Sequence, residues 1–343
     1  MGPNPAVAEV RRAVRTALLP GRRVIVACSG GADSLALAAA TAFEAPRADI
    51  TAGLVTVDHG LQPGSDVRAK AVADVAYELG FDPVEIIRVD VGRHGGPEAA
   101  ARTARYAALD AAAAALDADV LLGHTLDDQA ETVLLGLGRG SGPRSIAGMR
   151  PVDGRYRRPL LGVRRATTEM ACQALGLTPW DDPHNADPSY QRVRLRREVL
   201  PLLEDVLQGG VAAALARTAA LTRDDVDALD DLAAAHLARA LGNPQPGASS
   251  DVINSPPAGD FATSMAVDHV AGLPRALRTR VLRSWAHAQG TAPLTTKHTA
   301  ALDALITDWN GQGPVDLPGG FQAVRASGRL TLRPRGSAAN PKE

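Results

Sequence analysis

An apolar, β-branched run that breaks abruptly into a glycine-rich polar turn is the feature that most constrains how this chain folds. The run is Val24-Ile25-Val26-Ala27, and the turn reads Ser29-Gly30-Gly31-Ala32-Asp33-Ser34. The alanine- and leucine-rich segment after the turn predicts a helix, with serine and aspartate near its start. Free backbone N–H groups and the positive end of the dipole meet at such a start, so the pattern predicts an anion site.

The turn differs from two widespread phosphate-binding loops. It lacks the Lys-Ser/Thr pair of the Walker loop and the spacing of the Gly-x-Gly-x-x-Gly dinucleotide turn. The pattern Ser-Gly-Gly-x-Asp-Ser is similar to the loop of enzymes that split ATP between its α- and β-phosphates. In that interpretation two glycines let backbone amides approach the pyrophosphate, while Ser29 and Ser34 offer hydroxyl groups. An ordinary strand-to-helix turn with a capping side chain is the alternative.

Apolar runs and helix-like segments alternate through the first part of the chain. Further strands are predicted at 50–57, 83–91 and 119–124, and helices at about 65–79, 97–116 and 127–137. The alternation predicts an α/β fold, a parallel twisted sheet with helices on both faces. Ligands of such sheets bind beyond the carboxyl ends of the strands. Polar clusters follow three of these strands: Ser29 to Ser34, Asp58 with His59, and His124 to Asp128.

The length of 343 residues predicts more than one domain, because single cores rarely grow that large. The expected order is an ATP-pyrophosphatase domain (1–205), a helical linker (206–241), a mobile loop (242–260), a small mostly helical domain with a short β-hairpin (261–335) and a flexible tail (336–343). No basic start precedes an apolar run, and no apolar stretch approaches the ~20 residues of a membrane helix. We therefore expect a soluble cytoplasmic protein without membrane association.

Charge is distributed unevenly although the whole chain carries a formal net charge of −1. Residues 139–198 contain twelve arginines and no lysine against six acidic residues, which leaves a local charge of +6. Such a basic surface suits an enzyme that handles a polyanion, and solvated arginines on ordinary helices are the alternative. Cys28 and Cys172 are the only cysteines, without metal-ligand spacing, so neither a disulfide framework nor a zinc site is predicted.

Several motifs stand in the order typical of one enzyme family. The glycine-rich loop is followed by Asp58-His59-Gly60-Leu61, by Arg102-x-x-Arg105-Tyr106 and by His124-Thr125-Leu126-Asp127-Asp128. Together they resemble the tRNA(Ile)-lysidine synthetases, most specifically over residues 20–200. The resemblance implies ATP-dependent ligation of L-lysine to C2 of the wobble cytidine in the CAU anticodon of tRNA(Ile). The reaction passes through an adenylated cytidine and releases pyrophosphate and AMP.

The resemblance also implies roles for individual residues. Asp33, Arg105, His124 and Asp128 would be catalytic, with Asp33 a ligand of Mg²⁺ and Asp128 the leading candidate to grip or deprotonate lysine. ATP would be bound by Ser29, Gly30, Gly31, Ala32, Asp33, Ser34, Asp58 and His59. Asp127, Asp128 and Glu131 would hold lysine or Mg²⁺, and Arg102, Arg105, Arg139, Arg192 and Arg194 would bind tRNA together with the domain at 261–335. A homodimer is among the assemblies that the resemblance allows.

Other interpretations of the same residues stay open from the sequence. Asp127 and Asp128 open a predicted helix, where carboxylates act as caps, and Glu131 follows at capping-box spacing. Another tRNA-modifying ATP pyrophosphatase, which thiolates or amidates its substrate, is the nearest functional alternative. Thiolation normally needs catalytic cysteines or a cysteine motif that holds a metal cluster, and two isolated cysteines do not supply either. A non-catalytic, ATP-dependent RNA-binding protein is the alternative from a different class.

Overall fold

The computed structural model describes residues 2, 4–60, 62, 64–92, 96–140, 142–182, 187–242 and 264–335. The chain divides into two compact units, Met1–Arg223 and Asp224–Glu343, each with its own hydrophobic core. The division falls within the stretch predicted as a linker. Apart from Gly242, the loop predicted at 242–260 lies outside the described residues, as does the tail predicted at 336–343.

Strands and helices alternate in the first unit, as the sequence predicts. Its sheet has the order β3-β2-β1-β4-β6-β5, with β5 antiparallel to β6 and the other neighbours parallel. The strands are β1 (Arg23–Ala27), β2 (Ala52–Asp58), β3 (Val84–Arg88), β4 (Ala118–Leu122), β5 (Val152–Asp153) and β6 (Tyr156–Arg157). The helices are α1 (Pro5–Ala17), α2 (Ala32–Glu44), α3 (Ser65–Glu78), α4 (Pro97–Leu116), α5 (Leu126–Arg139), α6 (Pro143–Ile146) and α7 (Arg165–Ala174).

Alternate residues of β1 pack on opposite faces of the sheet. Val24 and Val26 belong to a core shared with α1, α2 and α7, whereas Ile25 lies in a second core with Leu109 and Ala113 of α4. Successive strand side chains point to opposite faces, so a strand covered on both sides needs a continuous apolar run. The predicted fold class, a parallel sheet between two layers of helices, is confirmed.

The strand order reverses at β1, which has β2 and β3 on one side and β4 and β6 on the other. In open α/β sheets a crevice forms at such a reversal, outside the carboxyl ends of the strands. The glycine-rich loop after β1 and the start of α5 after β4 both lie at this edge. The topology therefore places the predicted polar clusters side by side.

The hairpin of β5 and β6 is not predicted from the sequence. Each strand has two residues, too few to show an alternation of apolar and polar side chains. The pairing of β6 with β4 extends the sheet into the arginine-rich segment, because Tyr156 and Arg157 lie opposite Val120 and Leu121. Part of that segment is thereby built into the fold.

A helical run follows α7 in the chain. It consists of α8 (Gln191–Arg194), a π-helical turn (Leu195–Val199), α9 (Leu200–Val206) and α10 (Val211–Ala240). Gly209 and Gly210 have positive φ angles and separate α9 from α10, at the break that the sequence predicts. In the described part of the chain no single helix is long and apolar enough to cross a membrane. The sharply bent pair 191–206 and 211–240 meets that test only when both helices are counted together.

The second unit combines helices with an antiparallel sheet of strand order β7-β10-β9-β8. Its remaining elements are β7 (Ser264–Ala266), α11 (Asp268–Ala271), α12 (Arg275–Ala288), α13 (Thr296–Thr307), β8 (Val315–Leu317), β9 (Phe321–Ala326) and β10 (Arg329–Pro334). The predicted hairpin is β9 with β10, and it forms the centre of this larger sheet. The two outer strands have three residues each, which is too short for their pattern to be recognised.

Candidate active site

The loop between β1 and α2 has a shape that requires glycine at one position. Gly30 has a φ of +85°, and a Cβ there would lie 2.9 Å from Cγ2 of Val72. The hydroxyl of Ser34 closes the loop: it accepts from the N–H of Ser29 at 3.2 Å and donates to the carbonyl of Gly31 at 2.9 Å. Ser34 is buried and Ser29 is exposed. Of the two predicted hydroxyl ligands, Ser34 therefore shapes the loop while Ser29 is accessible to a ligand.

Asp33 lies in the first turn of α2 and is held by α7. Its carboxylate accepts from the hydroxyl of Thr168 and, at 3.2 Å, from Nε of Arg165. Burial raises the pKa of the Asp33 carboxyl, and the charge of Arg165 opposes part of that rise. The end of β4 packs closely on the same turn, since a Cβ on Gly123 would lie 3.1 Å from the Asp33 carbonyl carbon. Asp33 is thus fixed in place at the mouth of the loop.

Three nitrogen-bearing side chains, His59, Arg105 and His124, form what we call the cationic wall, named for the guanidinium charge of Arg105. Among the described residues, Nδ1 of each histidine and Nε of Arg105 are buried without a hydrogen-bond partner. Burial lowers the pKa of His59 and of Arg105, and burial lowers the pKa of His124 to about 4 against the opposing charge of Asp128. Buried polar atoms without partners are costly, so these nitrogens point to a ligand rich in acceptor atoms.

Opposite charges meet in a second group, the carboxylate cluster of Asp33, Asp128 and Glu131 with Arg165 and Arg196. Arg165 reaches all three carboxylates: Nη2 lies 2.5 Å from Asp128 and Nη1 lies 3.4 Å from Glu131. Arg196 lies 2.7 Å from Glu131 and 3.5 Å from Asp128. With every group in its charged form, the three carboxylates against the two guanidinium groups would leave one negative charge without compensation.

The two carboxylate oxygens of Asp128 make different contacts. One carboxylate oxygen, Oδ2, accepts from the N–H and the hydroxyl of Thr125 at 2.8 and 2.9 Å and closes a capping box at the start of α5. The other, Oδ1, contacts Arg165. Burial opposes ionisation of Asp128, but Arg165 and the hydrogen bonds from Thr125 hold the pKa of this carboxyl below its ordinary value. The cap orients the carboxylate and keeps it charged.

One cavity of about 960 Å³ joins the glycine-rich loop, the cationic wall and the carboxylate cluster. Trp180 forms a further side. Its backbone N–H donates to the carbonyl of Gly30 at 2.9 Å, and the centroid of its ring lies 4.2 Å from the guanidinium carbon of Arg68. The volume is at the upper end of the range for small-molecule sites, about 300–1,000 Å³. The space suits a nucleotide together with a second reactant.

The chain matches two family models and has closely similar relatives. Residues 6–203 match the PP-loop domain, and residues 265–331 match the TilS substrate binding domain. The tRNA(Ile)-lysidine synthase of Thermobifida fusca is 55% identical over 337 residues, which cover 96% of this chain and 98% of that protein. The chain belongs to the tRNA(Ile)-lysidine synthase family.

Other members and one solved structure extend the comparison. The tRNA(Ile)-lysidine synthases of Streptomyces coelicolor and Mycobacterium bovis are 51% and 48% identical, each over 97% of this chain and 99% of the relative. A U34-tRNA thiolase from Methanococcus maripaludis, solved with its [4Fe-4S] cluster, aligns with a TM-score of 0.53 at 18% identity. The alignment covers 62% of this chain and 78% of the thiolase. At that identity the thiolase shows a shared fold alone.

The lysidine synthase site gathers many of the residues that the sequence predicts. Those that line the cavity are Ser29, Gly31, Ala32, Asp33, Ser34, Asp58, His59, Arg105, His124 and Asp128. Asp58 is turned toward its own loop, where it accepts from the N–H of Gly60 at 2.9 Å, and a hydrogen bond from Ser65 is the largest effect that lowers its pKa. Asp58 therefore shapes the turn that carries His59.

Two predicted lysine or magnesium ligands of the lysidine synthase site do not line the cavity. Asp127 accepts from the side chain of Arg164 and from the N–H of Arg165 at 2.8 Å, which ties the start of α7 to α5. Glu131 is fully buried behind Asp128, between Arg165 and Arg196. In this structure Asp127 anchors the start of α7, and Glu131 holds the side chains of Arg165 and Arg196.

The predicted tRNA-binding arginines of this lysidine synthase family member are spread over several surfaces. Arg102 lies on α4 one turn from Arg105, and the charges of Arg102 and Arg192 both lower the pKa of Arg105 after burial, which is the largest effect. Arg139 is exposed at the end of α5, and Arg194 pairs with Glu198 on the surface at 2.9 Å. Of this set, Arg102 and Arg192 approach the cationic wall.

Several residues of the site are not predicted from the sequence. Arg165, Arg196 and Thr168 stand out only as members of an arginine-rich stretch or as ordinary helix residues. Their partners lie 34 to 135 positions away in the chain. The excess of arginine over acid in residues 139–198 is the one available signal, and it does not distinguish an arginine of the site from a solvated one.

Proposed function

We propose that this chain ligates L-lysine to C2 of the wobble cytidine of tRNA(Ile) bearing a CAU anticodon. The cytidine O2 attacks the α-phosphorus of ATP, pyrophosphate leaves, and the side-chain amine of lysine then displaces AMP from C2. The proposal is supported above all by one observation. A phosphate-binding loop, a wall of unpartnered buried nitrogens and a negatively charged cluster face one cavity. Membership in the lysidine synthase family, in which ATP is used, agrees with it.

The first half-reaction needs groups that stabilise negative charge on the phosphates. The backbone amides of the glycine-rich loop and the start of α2 can bind the β- and γ-phosphates, as helix starts bind anions elsewhere. Arg105 and the two histidines of the cationic wall face the cavity with free nitrogens. Donors fixed in advance toward developing charge are among the strongest catalytic effects in enzymes. We assign Arg105 to the α-phosphate, with His124 beside it.

The second half-reaction needs lysine bound as a cation and attacking as a free amine. The one uncompensated negative charge of the carboxylate cluster fits a single ammonium group. A lysine amine has a solution pKa of ~10.4, so a base must remove its proton before attack. Asp128 presents an ionised oxygen to the cavity, and Arg165 and Arg196 limit how strongly the cluster holds the ammonium form. We assign Asp128 to gripping the lysine ammonium group, because its lowered pKa suits it to binding a cation rather than to removing a proton.

Magnesium is the second cofactor of the proposal. Asp33 and Asp128 lie close enough for the charge of Asp128 to raise the pKa of Asp33 further. Mg²⁺ in nucleotide sites takes one or two carboxylates together with phosphate oxygens, and this pair fits that requirement. Within the described ranges no group of three or more His, Cys, Asp and Glu residues could hold a metal by itself. When bound, the ion would neutralise charge on the α- and β-phosphates.

A thiolating activity is the main alternative and is less well supported. Iron–sulfur clusters are held by sets of cysteine thiolates, commonly four. This chain has two cysteines, Cys28 and Cys172, and both are buried. Burial raises the pKa of the Cys28 thiol, and it raises the pKa of Cys172 to about 11. Neither thiol is therefore a ready nucleophile or ligand.

The test is incorporation of labelled lysine into unmodified tRNA(Ile) with a CAU anticodon, in the presence of ATP and Mg²⁺. We expect one AMP released per lysine incorporated. Asp33→Asn should lower the rate at least 100-fold, because removing one group that stabilises transition-state charge typically costs about 10²–10³-fold. Asp74→Asn on the exposed face of α3 is the matched control and should keep full activity. Adenylation without lysine transfer, or sulfur incorporation, would overturn the assignment of substrate.

A further inference from the structure

A shallow groove of about 420 Å³ lies on α4, lined by Arg102, Thr103, Tyr106, Ala107 and Asp110. The ring of Tyr106 packs against that of Tyr156, with centroids 5.0 Å apart. The guanidinium of Arg102 lies over the Tyr106 ring at 4.7 Å, and its Nη2 is 3.2 Å from the Tyr106 hydroxyl. Arg102 nevertheless remains exposed. The two packed tyrosines thus hold the planar guanidinium group of Arg102 in a fixed position at the surface.

The groove continues toward the cationic wall. Arg105, one turn further along α4, lines the catalytic cavity and also lies 5.6 Å from the centroid of the Tyr106 ring. The charge of Arg102 influences both Arg105 and His124. Arg102 and Arg105 are three residues apart on α4, a rise of about 4.5 Å along the helix axis. The groove therefore adjoins the cavity.

We propose that this groove takes the unpaired nucleotide next to the wobble cytidine, with its base stacked on the guanidinium plane of Arg102. The inference rests on the proposed function, because it needs an anticodon loop in the cavity. Bases of single-stranded RNA stack on aromatic rings and on arginine planes. The other chemistry for an exposed arginine is a phosphate contact. Asp110 favours a base, since its carboxylate, 2.7 Å from the Tyr156 hydroxyl, would repel a phosphate in the groove.

Arg102→Lys separates the two chemistries, because lysine keeps the charge and loses the plane. We expect Arg102→Lys and Arg102→Ala to raise the KM for tRNA by about tenfold each, within the range for loss of one stacked base. The KM values for ATP and lysine should stay unchanged. The salt dependence of tRNA binding should stay unchanged for both variants, whereas loss of a phosphate contact would weaken it by about one unit of slope for Arg102→Ala alone. Arg12→Lys, an exposed arginine of α1, is the matched control.

A tRNA(Ile) with an abasic site on either side of the wobble cytidine identifies the stacked neighbour. At the correct position, removal of the base should raise the KM of the wild-type enzyme by the same factor as Arg102→Lys. The two changes combined should cause no further loss, because they remove one interaction. At the other neighbouring nucleotide, the factors by which base removal and Arg102→Lys raise the KM for tRNA should multiply.

The stacking proposal is overturned if Arg102→Lys behaves as the wild type does, which is the result for a phosphate contact. It is overturned equally if losses multiply at both neighbouring nucleotides. Tyr106→Phe keeps the ring and removes the hydroxyl that fixes Arg102, and a KM between those of wild type and Arg102→Lys is expected. Wild-type lysine incorporation is measured in the same series. Its absence would refute the proposed function, whereas its presence with an unaltered Arg102→Lys refutes stacking alone.

Discussion

Replacing Arg165 by glutamine tests whether charge holds the carboxylate cluster together. The substitution leaves Asp33, Asp128 and Glu131 facing Arg196 alone, so one uncompensated negative charge becomes two. Removing one partner of a buried ion pair costs about 3–5 kcal/mol. The Arg165 side chain is 18% exposed, so solvent screens part of the interaction and we expect a loss of about 3 kcal/mol, the lower end of that range.

Thermal unfolding of the first unit measures this loss. For a domain of this size, 1 kcal/mol shifts Tm by ~2–4 °C, so Arg165→Gln should lower Tm by about 6–12 °C. Arg194→Gln is the matched control, because the same substitution removes an exposed ion pair, with Glu198. Exposed pairs contribute little, so no resolvable shift in Tm is expected there.

A second variant shows whether the loss arises from charge. Arg165→Gln combined with Glu131→Gln restores one uncompensated negative charge in the cluster. We expect the double variant to be more stable than the sum of the two single losses predicts, with a coupling of about 1 kcal/mol or more between neighbours that share a network. Equal Tm shifts for Arg165→Gln and Arg194→Gln, or strictly additive losses, would refute the electrostatic reasoning.

Three further predictions concern other parts of the molecule. Gly30→Ala should weaken ATP binding at least tenfold in calorimetry, because a Cβ at position 30 would lie 2.9 Å from Val72 and the backbone φ there is positive. Gly138→Ala is the control and should leave ATP binding unchanged, because no atom lies within 4 Å of a Cβ at position 138. Glu204→Ala should cost about 1 kcal/mol at pH 7, since two α10 amides lose their acceptor. The pKa of Glu204 is lowered, so its contribution to the free energy of unfolding should be present above the pKa of the unfolded state and vanish as the pH falls through the pKa of the folded state. A loss of stability in Glu204→Ala that is the same at low pH as at pH 7 would contradict this. His124, with a pKa of about 4, should show no ring titration by NMR between pH 5.5 and 8, and a midpoint near 6.5 would contradict its burial.

The sheet and its polar edge could be predicted because both depend on local signals. Twelve consecutive residues contain the apolar run Val24–Val26, the glycines after it and the start of the helix that follows. The parallel direction of the strands then follows from the helical crossovers between them. These signals place Asp33, His59 and His124 at one edge without further information.

The arginines of the site could not be predicted because they depend on long-range contacts. Arg165 lies 132 positions after Asp33, and Arg196 lies 65 positions after Glu131. Twelve arginines in one segment offer no local pattern that separates these two from Arg194, which pairs four residues away on the surface. The same limit applies to the two-residue strands β5 and β6, whose pairing depends on β4.

Asp128 shows why a structural and a functional interpretation of one residue need not compete. The sequence offers a helix cap or a catalytic carboxylate, and a carboxylate has two oxygens. Oδ2 closes the capping box with Thr125, which fixes the rotamer, and Oδ1 is left to contact Arg165 in the cavity. The hydrogen bonds of the cap also help to hold the pKa of Asp128 low. The helix start therefore fixes an ionised carboxylate, which in the proposed function binds the lysine cation. Asp128→Asn keeps an oxygen for the cap and loses the charge, so we expect weaker lysine binding in calorimetry together with a Tm close to that of the wild type.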